Sequence, residues 1–185
     1  MKTVHLTLKD GTKAEGVVFD EYDFEKIKKI FLKWKDLNAD LKSLGGRNLN
    51  VPDVFSEAIY CFFFNSARTN GEAYSYDAVS LENSDGIQIK AASIKNDCTS
   101  FGPTSTWDKL IFADFVPNGS IDGNVWFYEI PSEQVYSLVL NKKKQETFKD
   151  QQKQGRRPRF SIKKEIIQKL NLQPIKKVNL LDQKH

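Results

Sequence analysis

The first residues of the chain alternate between apolar and polar side chains. Val4, Leu6 and Leu8 fall on one face of an extended segment, which predicts a β-strand. The pair Asp10-Gly11 follows and is a typical signal for a tight hairpin turn. We therefore expect a return strand over about residues 13–19, so that this part of the chain forms a β-hairpin.

From Tyr22 to Leu44 the apolar residues recur every three or four positions, which predicts one long helix. Gly45-Gly46 would end this helix, because glycine is the residue most often found just past a helix end. The apolar stripe consists of Phe24, Ile27, Ile30, Phe31, Trp34, Leu37, Leu41 and Leu44. A stripe of this kind usually packs on the core of its own domain, and the alternative is a seam between two subunits.

A second helix is predicted to begin near Pro52 and to run into the apolar triplet Phe62-Phe63-Phe64. Because the triplet is apolar on all sides, we expect this helix to be central in the fold. Glu57 lies on it, and a carboxylate that enters a buried helix needs a partner, a metal ion or an exposed end. The alternative is an ordinary first-turn glutamate that faces water and interacts with the helix dipole.

A second hairpin is predicted in the next part of the chain. Its elements are a strand over about residues 73–81, a turn at Asn83-Ser84-Asp85-Gly86 and a strand over Ile87–Ala91. Gln88 and Lys90 project from one face of the second strand, and the other face is apolar. Asp77 lies on the first strand, 11 positions before Gln88, so the hairpin would bring Asp77, Gln88 and Lys90 into one neighbourhood. The pattern does not fix the register in which the two strands pair.

The remaining elements complete an α/β pattern. They are a strand at Trp107–Phe115, a turn at Asp122-Gly123, a strand at Val125–Ile130, a short helix from Pro131 to Leu140 and an amphipathic helix from Ser161 to Asn171. We expect a single domain over residues 1–185, with a central mixed sheet and helices on both sides of it.

Composition disfavours several classes of protein. No apolar run approaches the roughly 20 residues needed to span a bilayer, and the first residues lack a signal-peptide pattern, so we expect a cytoplasmic protein without a membrane partner. Only Cys61 and Cys98 are present, which argues against a zinc site or a disulfide scaffold and predicts two buried free thiols. The chain has two histidines, His5 and His185, and no glycine-rich phosphate loop, so a histidine-based nuclease and an NTPase are both disfavoured.

Basic residues are concentrated towards the C-terminus. The formal net charge is +4, but residues 142–177 contain 13 Lys or Arg and three acidic residues, so this stretch carries +10 and the rest carries −6. Such a segment suggests a polyanion partner, and the alternative is a solvated lysine-rich surface. The run Arg156-Arg157-Pro158-Arg159 favours the partner, since arginines held by a proline suit contact with phosphate or guanine. We expect an ordered DNA-contacting element over about residues 141–177.

Asp77, Gln88 and Lys90 suit the hydrolysis of a phosphodiester bond. This reaction needs a hard cation to offset the charge that develops on the phosphate oxygens, and it needs an activated water. Asp77 can anchor Mg²⁺, the amide oxygen of Gln88 can add a neutral ligand, and Lys90 can orient the water or favour hydroxide. Glu57 can supply a second carboxylate, directly or through water, if its helix packs beside the hairpin. The alternative is an ordinary hairpin with one polar face.

Several blocks of this sequence resemble one group of nucleases. Asp77, followed by Gln88-Ile89-Lys90 on a strand, resembles the catalytic signature of the PD-(D/E)XK nuclease superfamily. Other blocks are similar to segments of small type II restriction endonucleases, namely Asn48-Leu49-Asn50-Val51-Pro52-Asp53 with Ser56-Glu57 and Cys61, Thr99-Ser100-Phe101-Gly102-Pro103, Trp107-Asp108-Lys109-Leu110, and Arg157-Pro158-Arg159-Phe160-Ser161-Ile162. The resemblance covers roughly residues 46–170 in separated blocks, and it is strongest to the Bsp6I type of these enzymes.

This resemblance implies Mg²⁺-dependent hydrolysis of phosphodiester bonds in double-stranded DNA, with Mn²⁺ able to substitute. The cut would fall at a short palindromic site, which in the Bsp6I type is interrupted and GC-rich. A catalytic core over about residues 46–130 would contain Asp77, Gln88, Lys90 and Glu57 as catalytic residues. Of these, Asp77, Gln88 and Glu57 would hold the metal.

The resemblance also implies how the protein meets its partners. Arg156, Arg157, Arg159, Lys109 and Ser100 would contact DNA. Because cutting both strands of a palindrome calls for two sites related by a two-fold axis, we expect a homodimer. A restriction enzyme needs a DNA methyltransferase to protect its host, so we expect the cognate methyltransferase as a genetic neighbour rather than as a bound subunit.

The sequence departs from the superfamily pattern at two positions. Tyr76 stands where a proline often precedes the first aspartate, and Gln88 stands where a second acidic residue is usual. Asp85 or Glu82 in the turn could supply the missing charge, and Glu72 is the alternative for the first aspartate. Three other functions stay open: a structure-specific or repair nuclease of the same fold, a non-catalytic DNA-binding module, and a protein-interaction domain with a basic face.

Overall fold

The computed structural model of the protein describes residues 1–47, 49–69 and 75–182. Asn48, Glu72, Ala73 and His185, on which sequence predictions fall, lie outside the described residues. Within the described ranges an eight-stranded mixed sheet forms the centre of the fold, and helices pack on both of its faces. The predicted α/β class with a central mixed sheet is therefore confirmed.

The strands of the central sheet lie side by side in nearly sequential order. In chain order the strands are β1 (Lys2–Thr7), β2 (Lys13–Val18), β3 (Ser66–Thr69), β4 (Ala78–Ser80), β5 (Gly86–Ala92), β6 (Thr99–Ser100), β7 (Lys109–Asp114), β8 (Asn124–Ile130), β9 (Val139–Asn141), β10 (Glu146–Thr147), β11 (Arg159–Phe160) and β12 (Lys176–Asn179). The sheet has the order β1-β2-β3-β4-β5-β7-β8-β12, while β6 pairs with β11 and β9 pairs with β10. Neighbours in the sheet are antiparallel except β5 and β7, which are parallel.

The long helix and the central helix of the sequence analysis are both present. The helices of the described chain are α1 (Glu21–Ser43), α2 (Asp53–Phe63), α3 (Ser132–Tyr136), α4 (Phe148–Lys153) and a π-helix (Lys163–Gln168). A capping box begins α1, in which Asp20 and Asp23 each accept a hydrogen bond from the other's backbone N–H. Pro52 is the N-cap of α2, as its fixed φ favours.

Each face of the sheet buries its own apolar cluster. On one face Phe31 of α1 and Ile59 of α2 share a cluster with Ile89 of β5. On the other face, residues from α3, α4 and the π-helix share a cluster with residues of β7 and β8. Because successive residues of a strand point to opposite faces, Gln88 and Lys90 lie on the face away from α1 and α2.

Two predictions about the strands around Asp77 needed correction. Of the strand predicted over about residues 73–81, the structure describes residues 75–81, and among these only Ala78–Ser80 form a strand. Asp77 lies at a bend just before it. β3 (Ser66–Thr69) was not predicted. It follows Asn65, whose backbone has the left-handed conformation with φ 44°. Four mixed residues are too few to show an alternating pattern, so this strand carried no signal.

Three predictions outside the central hairpin also differ from the structure. The helix predicted from Pro131 to Leu140 ends at Tyr136, because the carbonyl of Leu138 instead accepts from the N–H of Phe148 at 2.8 Å, just before β9 begins. Within the range of the helix predicted from Ser161 to Asn171, residues Lys163–Gln168 form a π-helix instead of a regular α-helix. Cys61 is a buried free thiol as predicted, but Cys98 is exposed.

The basic C-terminal segment is ordered, but it does not form one surface. Its middle part contains α4, β11 and the π-helix, which cover one face of the sheet. Its last part joins β12 at the edge of the sheet, where Lys177 lies over the ring of Trp126 with its ammonium 4.2 Å from the centroid. The opposite edge is β1, which carries the exposed residues Lys2 and His5. No helix in the described residues is long and apolar enough to cross a membrane.

Candidate active site

Asp77 is held by the strands on both sides of it. Its backbone N–H donates to the carbonyl of Ile87 (2.9 Å), and its carbonyl accepts from the N–H of Thr69 (3.0 Å). Its carboxylate oxygen Oδ2 accepts from the N–H of Ile89 (2.6 Å) and from the side-chain amide of Gln88. No donor to Oδ1 is present among the described residues. The carboxylate is therefore fixed in direction, with one oxygen engaged by the chain.

The second hairpin brings the three predicted side chains together. Because Ala78 pairs with Ile87, Asp77 lies beside Gln88. Gln88 is buried. Burial raises the pKa of Asp77 above its ordinary value, and the hydrogen bond from Ile89 and the charge of Lys90 oppose this only in part. Lys90 is therefore close enough to interact with the carboxylate.

Glu57 is buried on α2 and has a cationic partner. Its Oε2 accepts from Nε of Arg68, which lies on β3, at 2.6 Å. Burial raises the pKa of Glu57, the negative charge of Asp77 raises it further, and the bond from Arg68 acts in the opposite direction. The two carboxylates therefore interact electrostatically. Arg68 was missed by the sequence analysis because the strand that carries it was missed.

Asp53 adds a third negative charge to this region. It lies in the first turn of α2 and is exposed, and its charge raises the pKa of both Asp77 and Glu57. The sequence contained a signal for it, since Asp53 precedes Glu57 by four positions and so lies on the same side of the helix.

The groups of the site that could bind a metal ion are two carboxylates and one side-chain amide. Asp77 and Glu57 offer carboxylates, and Gln88 offers its amide group, which a half-turn about the last torsion would present as an oxygen. Among the described residues, no three His, Cys, Asp or Glu side chains converge as a metal-binding cluster. A set of two carboxylates and an amide oxygen fits a hard divalent cation that keeps several waters, as Mg²⁺ does.

Asp85 and Lys109 belong to a separate ion-pair cluster at the turn of the hairpin. The carboxylate of Asp85 pairs with Lys9 and with Nζ of Lys109 (3.3 Å). Glu82 is exposed at the same turn. The carboxylate of Asp85 is thus engaged at the turn, and the ammonium of Lys109 is engaged with it.

An aromatic contact connects Lys90 to the basic segment. The ammonium of Lys90 lies 5.6 Å from the centroid of the Phe101 ring, and Phe101 stacks on Phe160 with centroids 5.6 Å apart. The pairing of β6 with β11 sets Ser100 opposite Arg159. Arg159, which is exposed, therefore lies next to the aromatic residues that contact Lys90.

A basic cleft of about 460 Å³ opens beside Arg159. Its charged lining consists of Lys142, Arg159, Lys164, Lys169 and Glu165. The ammonium of Lys169 bonds to Glu165 and lowers the pKa of that carboxyl, and the charges of Lys164 and Lys142 lower it further. One carboxylate among four cations leaves the cleft strongly positive.

The remaining residues predicted to contact DNA differ in their exposure and in whether they already have hydrogen-bond partners. Arg156 and Arg157 are exposed on the loop before β11, and Arg156 donates to a glutamate of β10 at 2.6 Å. Ser100 is half-buried, and its hydroxyl has no hydrogen-bond partner among the described residues. The structure groups Ser100 with Arg159, sets Arg156 and Arg157 on the adjoining loop, and leaves Lys109 in the cluster at the turn.

The family model of the Bsp6I restriction endonuclease matches residues 19–169. This chain belongs to that family. A curated relative, the type II restriction enzyme Bsp6I of Bacillus sp. (strain RFL6), is 34% identical over 174 residues, which cover 91% of this chain and 94% of the relative. No solved structure matches the chain.

Membership of the Bsp6I restriction endonuclease family confirms the resemblance seen in the sequence, and with it the class of enzyme, a type II restriction endonuclease. The range matched by the family runs from the residue before the capping box of α1 into the last turn after the π-helix. It therefore includes the hairpin with Asp77 and Lys90, the helix with Glu57 and the basic cleft, and it leaves out both strands of the first hairpin, β1 and β2.

Proposed function

We propose that this chain cuts double-stranded DNA at a short palindromic site by Mg²⁺-dependent hydrolysis, with Asp77 and Lys90 at the centre of a PD-(D/E)XK active site. One observation carries the proposal. Lys90 contacts Phe101, and the strand beside Phe101 holds Arg159 at the edge of the basic cleft. A DNA backbone bound along the cleft would thus approach the carboxylates and the lysine of the hairpin.

The order of elements supports the superfamily assignment. A helix with a glutamate precedes three antiparallel strands, β3, β4 and β5, and the next strand of the sheet, β7, returns parallel to β5. Asp77 enters the second of these three strands, and Gln88 and Lys90 lie on the third. The spacing and the shared face agree with the superfamily signature in all but the second acid.

Asp77, Glu57 and Gln88 would hold the divalent cation, with Mn²⁺ as a substitute for Mg²⁺. When bound, the cation would offset the charge that develops on the phosphate and make a coordinated water more acidic. Asp77 already has a fixed direction, set by the bonds to Ile89 and Gln88. Glu57 would exchange its bond with Arg68 for the cation, and the amide of Gln88 would turn to present its oxygen.

Lys90 would act on the attacking water and on the phosphate. Its ammonium lies near the negative charge of Asp77, and the ring of Phe101 restrains it without accepting a proton in a conventional hydrogen bond. It can therefore donate hydrogen bonds to the water or to a phosphate oxygen that gains charge in the transition state. Arg157 and Arg159 would hold the flanking backbone or read guanine. Ser100 would add a hydroxyl contact only after its oxygen, which is buried in this structure, becomes exposed.

Two further proposals follow from cleavage of a palindrome. The enzyme would act as a homodimer, because each strand needs its own active site in the opposite orientation. A cognate DNA methyltransferase would be encoded beside it, to protect the host's own copies of the site.

Incubation of plasmid DNA with the purified enzyme and Mg²⁺ tests the proposal. We expect discrete fragments that disappear when a chelator is added and that are absent with Lys90→Ala. Lys2→Ala, which removes an exposed lysine from the edge strand β1 instead, is the matched control and should still cut. A smear of products would favour a structure-specific or repair nuclease. Tight binding without cleavage by Mg²⁺, Mn²⁺ or any other divalent cation would favour a non-catalytic DNA-binding module.

A further inference from the structure

The apolar stripe of α1 and its C-cap Leu44 divides into two rows in the structure, with Leu41 half-buried between them. One row is buried on the core and consists of Phe24, Ile27, Phe31 and Trp34. The other row consists of Ile30, Leu37 and Leu44, which are 51%, 47% and 84% exposed. Since seven residues are close to two helical turns, these three side chains follow one another along the side of the helix. The core therefore accounts for only part of the stripe.

An apolar groove adjoins this exposed row where α1 meets α2. It has a volume of about 300 Å³, and its lining includes Ile30 of α1 and Val54, Phe55 and Ala58 of α2. Val54 is 52% exposed. Ile30 belongs to both the groove and the row, so the two adjoin at that residue.

The charged residues beside the row can form ion pairs with the same residues of a second, identical helix. Lys33 lies four positions before Leu37, and Asp40 lies three positions after it, so both flank the row on the same side of the helix. Both are exposed. Suppose that two α1 helices pair antiparallel about a two-fold axis at Leu37. The charged residues of both helices then lie on the same side of the interface, and their order along the second helix is reversed. Lys33 of each copy then lies opposite Asp40 of the other, which gives two equivalent ion pairs.

We propose that a second copy of this chain docks on this row, with the two α1 helices antiparallel and Leu37 at the two-fold axis. The same axis sets Leu44 of each copy opposite Ile30 of the other, so that Leu44 enters the partner's apolar groove. The contact spans about 21 Å along each helix, at about 1.5 Å per residue. It buries the most exposed large apolar side chain of the described residues, and it explains why the stripe of α1 is wider than the core requires.

This interface deepens the proposed function, because cleavage of both strands of a palindrome rests on a dimer. The apolar row, the groove and the charge pattern are independent of the reaction, so the interface and the activity can fail separately. All association measurements below use the full chain without DNA or metal, with far-UV circular dichroism as the check on folding.

Sedimentation of single variants tests the apolar row. We expect the wild-type chain to sediment as a dimer at micromolar concentration and Leu37→Asp to sediment as a monomer. The matched control is Leu32→Asp on the same helix, because Leu32 is 43% exposed but lies outside the row. This control should remain a dimer. A dimer that survives Leu37→Asp and Leu44→Asp would overturn the interface.

Charge reversal tests the orientation of the two helices. Lys33→Glu alone and Asp40→Lys alone each set like charges opposite one another at two places, so each should weaken the dimer about tenfold at low salt. The double variant Lys33→Glu/Asp40→Lys restores opposite charges and should return the dissociation constant to near that of the wild type. If the double variant is as weak as the single variants combined, the antiparallel pairing is wrong.

Cross-linking tests the position of the axis. In a Cys98→Ser background, which removes the exposed thiol, Leu37→Cys should form a covalent dimer on oxidation because the two thiols meet at the axis. Leu32→Cys in the same background should stay monomeric on a non-reducing gel. Equal cross-linking of the two variants would overturn the proposal.

The combined results separate the interface from the activity. If the row variants are monomeric and nick DNA instead of cutting both strands, the interface and the two-site reaction both stand. If these variants are monomeric but the wild type cuts no DNA with any divalent cation, the interface stands and the proposed function fails. If the wild type cuts DNA while the row variants remain dimeric, the function stands and the dimer uses another face.

Discussion

Asp77 and Glu57 are carboxylates kept partly out of water. Burial raises the pKa of each, and neither the bonds to Asp77 nor the bond from Arg68 to Glu57 fully reverses this effect. In the metal-free protein at neutral pH, their negative charges are therefore less favourable in the folded chain than in the unfolded chain. A bound cation would remove this disadvantage, so binding and stability are coupled at these two residues.

The substitution Asp77→Asn tests this coupling through stability. It should raise the unfolding temperature of the metal-free protein at pH 8, by about 2–4 °C for each ~1 kcal/mol relieved. A carboxyl whose pKa is raised on folding stabilises the fold below its unfolded pKa, and this contribution is lost as the pH rises through the folded pKa. The advantage of the variant should therefore disappear towards pH 4. Calorimetry across this range is the measurement.

Asp85→Asn is the matched control for that experiment. Burial favours the neutral form of Asp85, but its bonds with Lys9 and Lys109 outweigh burial and lower its pKa overall. This carboxylate stabilises the fold above its unfolded pKa, so its removal should lower the unfolding temperature at pH 8. An unfolding temperature for Asp77→Asn below that of the wild type at pH 8 would contradict the account of the site.

Gln88 is the neutral side chain among the three proposed metal ligands. Gln88→Glu would add a unit charge at about 2 Å from Mg²⁺, so the Mg²⁺ concentration needed for the half-maximal cleavage rate should fall. Gln88→Ala should lose most of the activity, because the side-chain oxygen proposed as a metal ligand disappears. Cleavage rates measured against Mg²⁺ concentration compare the variants. Wild-type behaviour of Gln88→Ala would remove Gln88 from the ligand set.

Arg68 would compete with the cation for Glu57 if Glu57 is a metal ligand, as proposed. Arg68→Ala should lower the dissociation constant of Mn²⁺ for the DNA-free enzyme by roughly tenfold, because a charge-assisted hydrogen bond no longer has to be broken. Titration calorimetry with the inactive Lys90→Ala background measures this without any cleavage. Lys109→Ala provides the control for loss of a positive charge elsewhere. Unchanged Mn²⁺ binding would mean that Glu57 does not reach the cation.

At the scale of elements, long periodic segments were predictable and short ones were not. The pattern predicted α1, α2 and β5 within one or two residues, because each carries a regular apolar face. The alternation of β5 also predicted that Gln88 and Lys90 share one face, and the predicted hairpin placed Asp77 near them. The pattern missed β3 and therefore Arg68, because Ser66–Thr69 gains its stability from its neighbours in the sheet rather than from its own sequence.

The loop and strand that carry the arginines should dominate DNA affinity. Arg157→Ala and Arg159→Ala should each weaken binding in the presence of a chelator, and each should reduce the slope of log affinity against log salt by about one if it contacts phosphate. If either reads guanine, specificity at one base should relax at a cost of roughly 1–3 kcal/mol. Arg156→Ala should have less effect, because Arg156 already pairs with Glu146. Fluorescence anisotropy over a salt series distinguishes these cases, and unchanged binding by Arg159→Ala would exclude the cleft.

At the scale of the whole molecule, buried polar contacts fasten the C-terminal segment to the sheet. Lys163 of the π-helix pairs with Asp114 at the end of β7, with 2.7 Å between Nζ and Oδ2. The carboxylate of Asp97 accepts from the N–H of Ile162 (2.7 Å) and from the hydroxyl of Ser161 (2.5 Å). The basic cleft is thereby held in a fixed position relative to β5 and β7.

Removing one partner of the buried pair should destabilise the entire domain. Lys163→Met would leave Asp114 buried without its cation, so the free energy of unfolding should fall by about 3–5 kcal/mol. Urea unfolding measures the change. Lys164→Met on the exposed side of the same helix should stay within about 0.5 kcal/mol of the wild type. A loss below about 1 kcal/mol for Lys163→Met would mean that the pair is not a structural link.

The charged edges of the central sheet limit how this protein can aggregate. An edge strand offers unpaired backbone groups to any extended chain nearby, and a lysine on that strand must give up its hydration before a new strand can pair. Lys2 on β1 and Lys177 on β12 stand at the two edges, and β12 is only four residues long. Growth of the sheet from molecule to molecule is therefore disfavoured at both ends. The same two lysines therefore oppose the strand-to-strand addition by which unprotected sheets form fibrils.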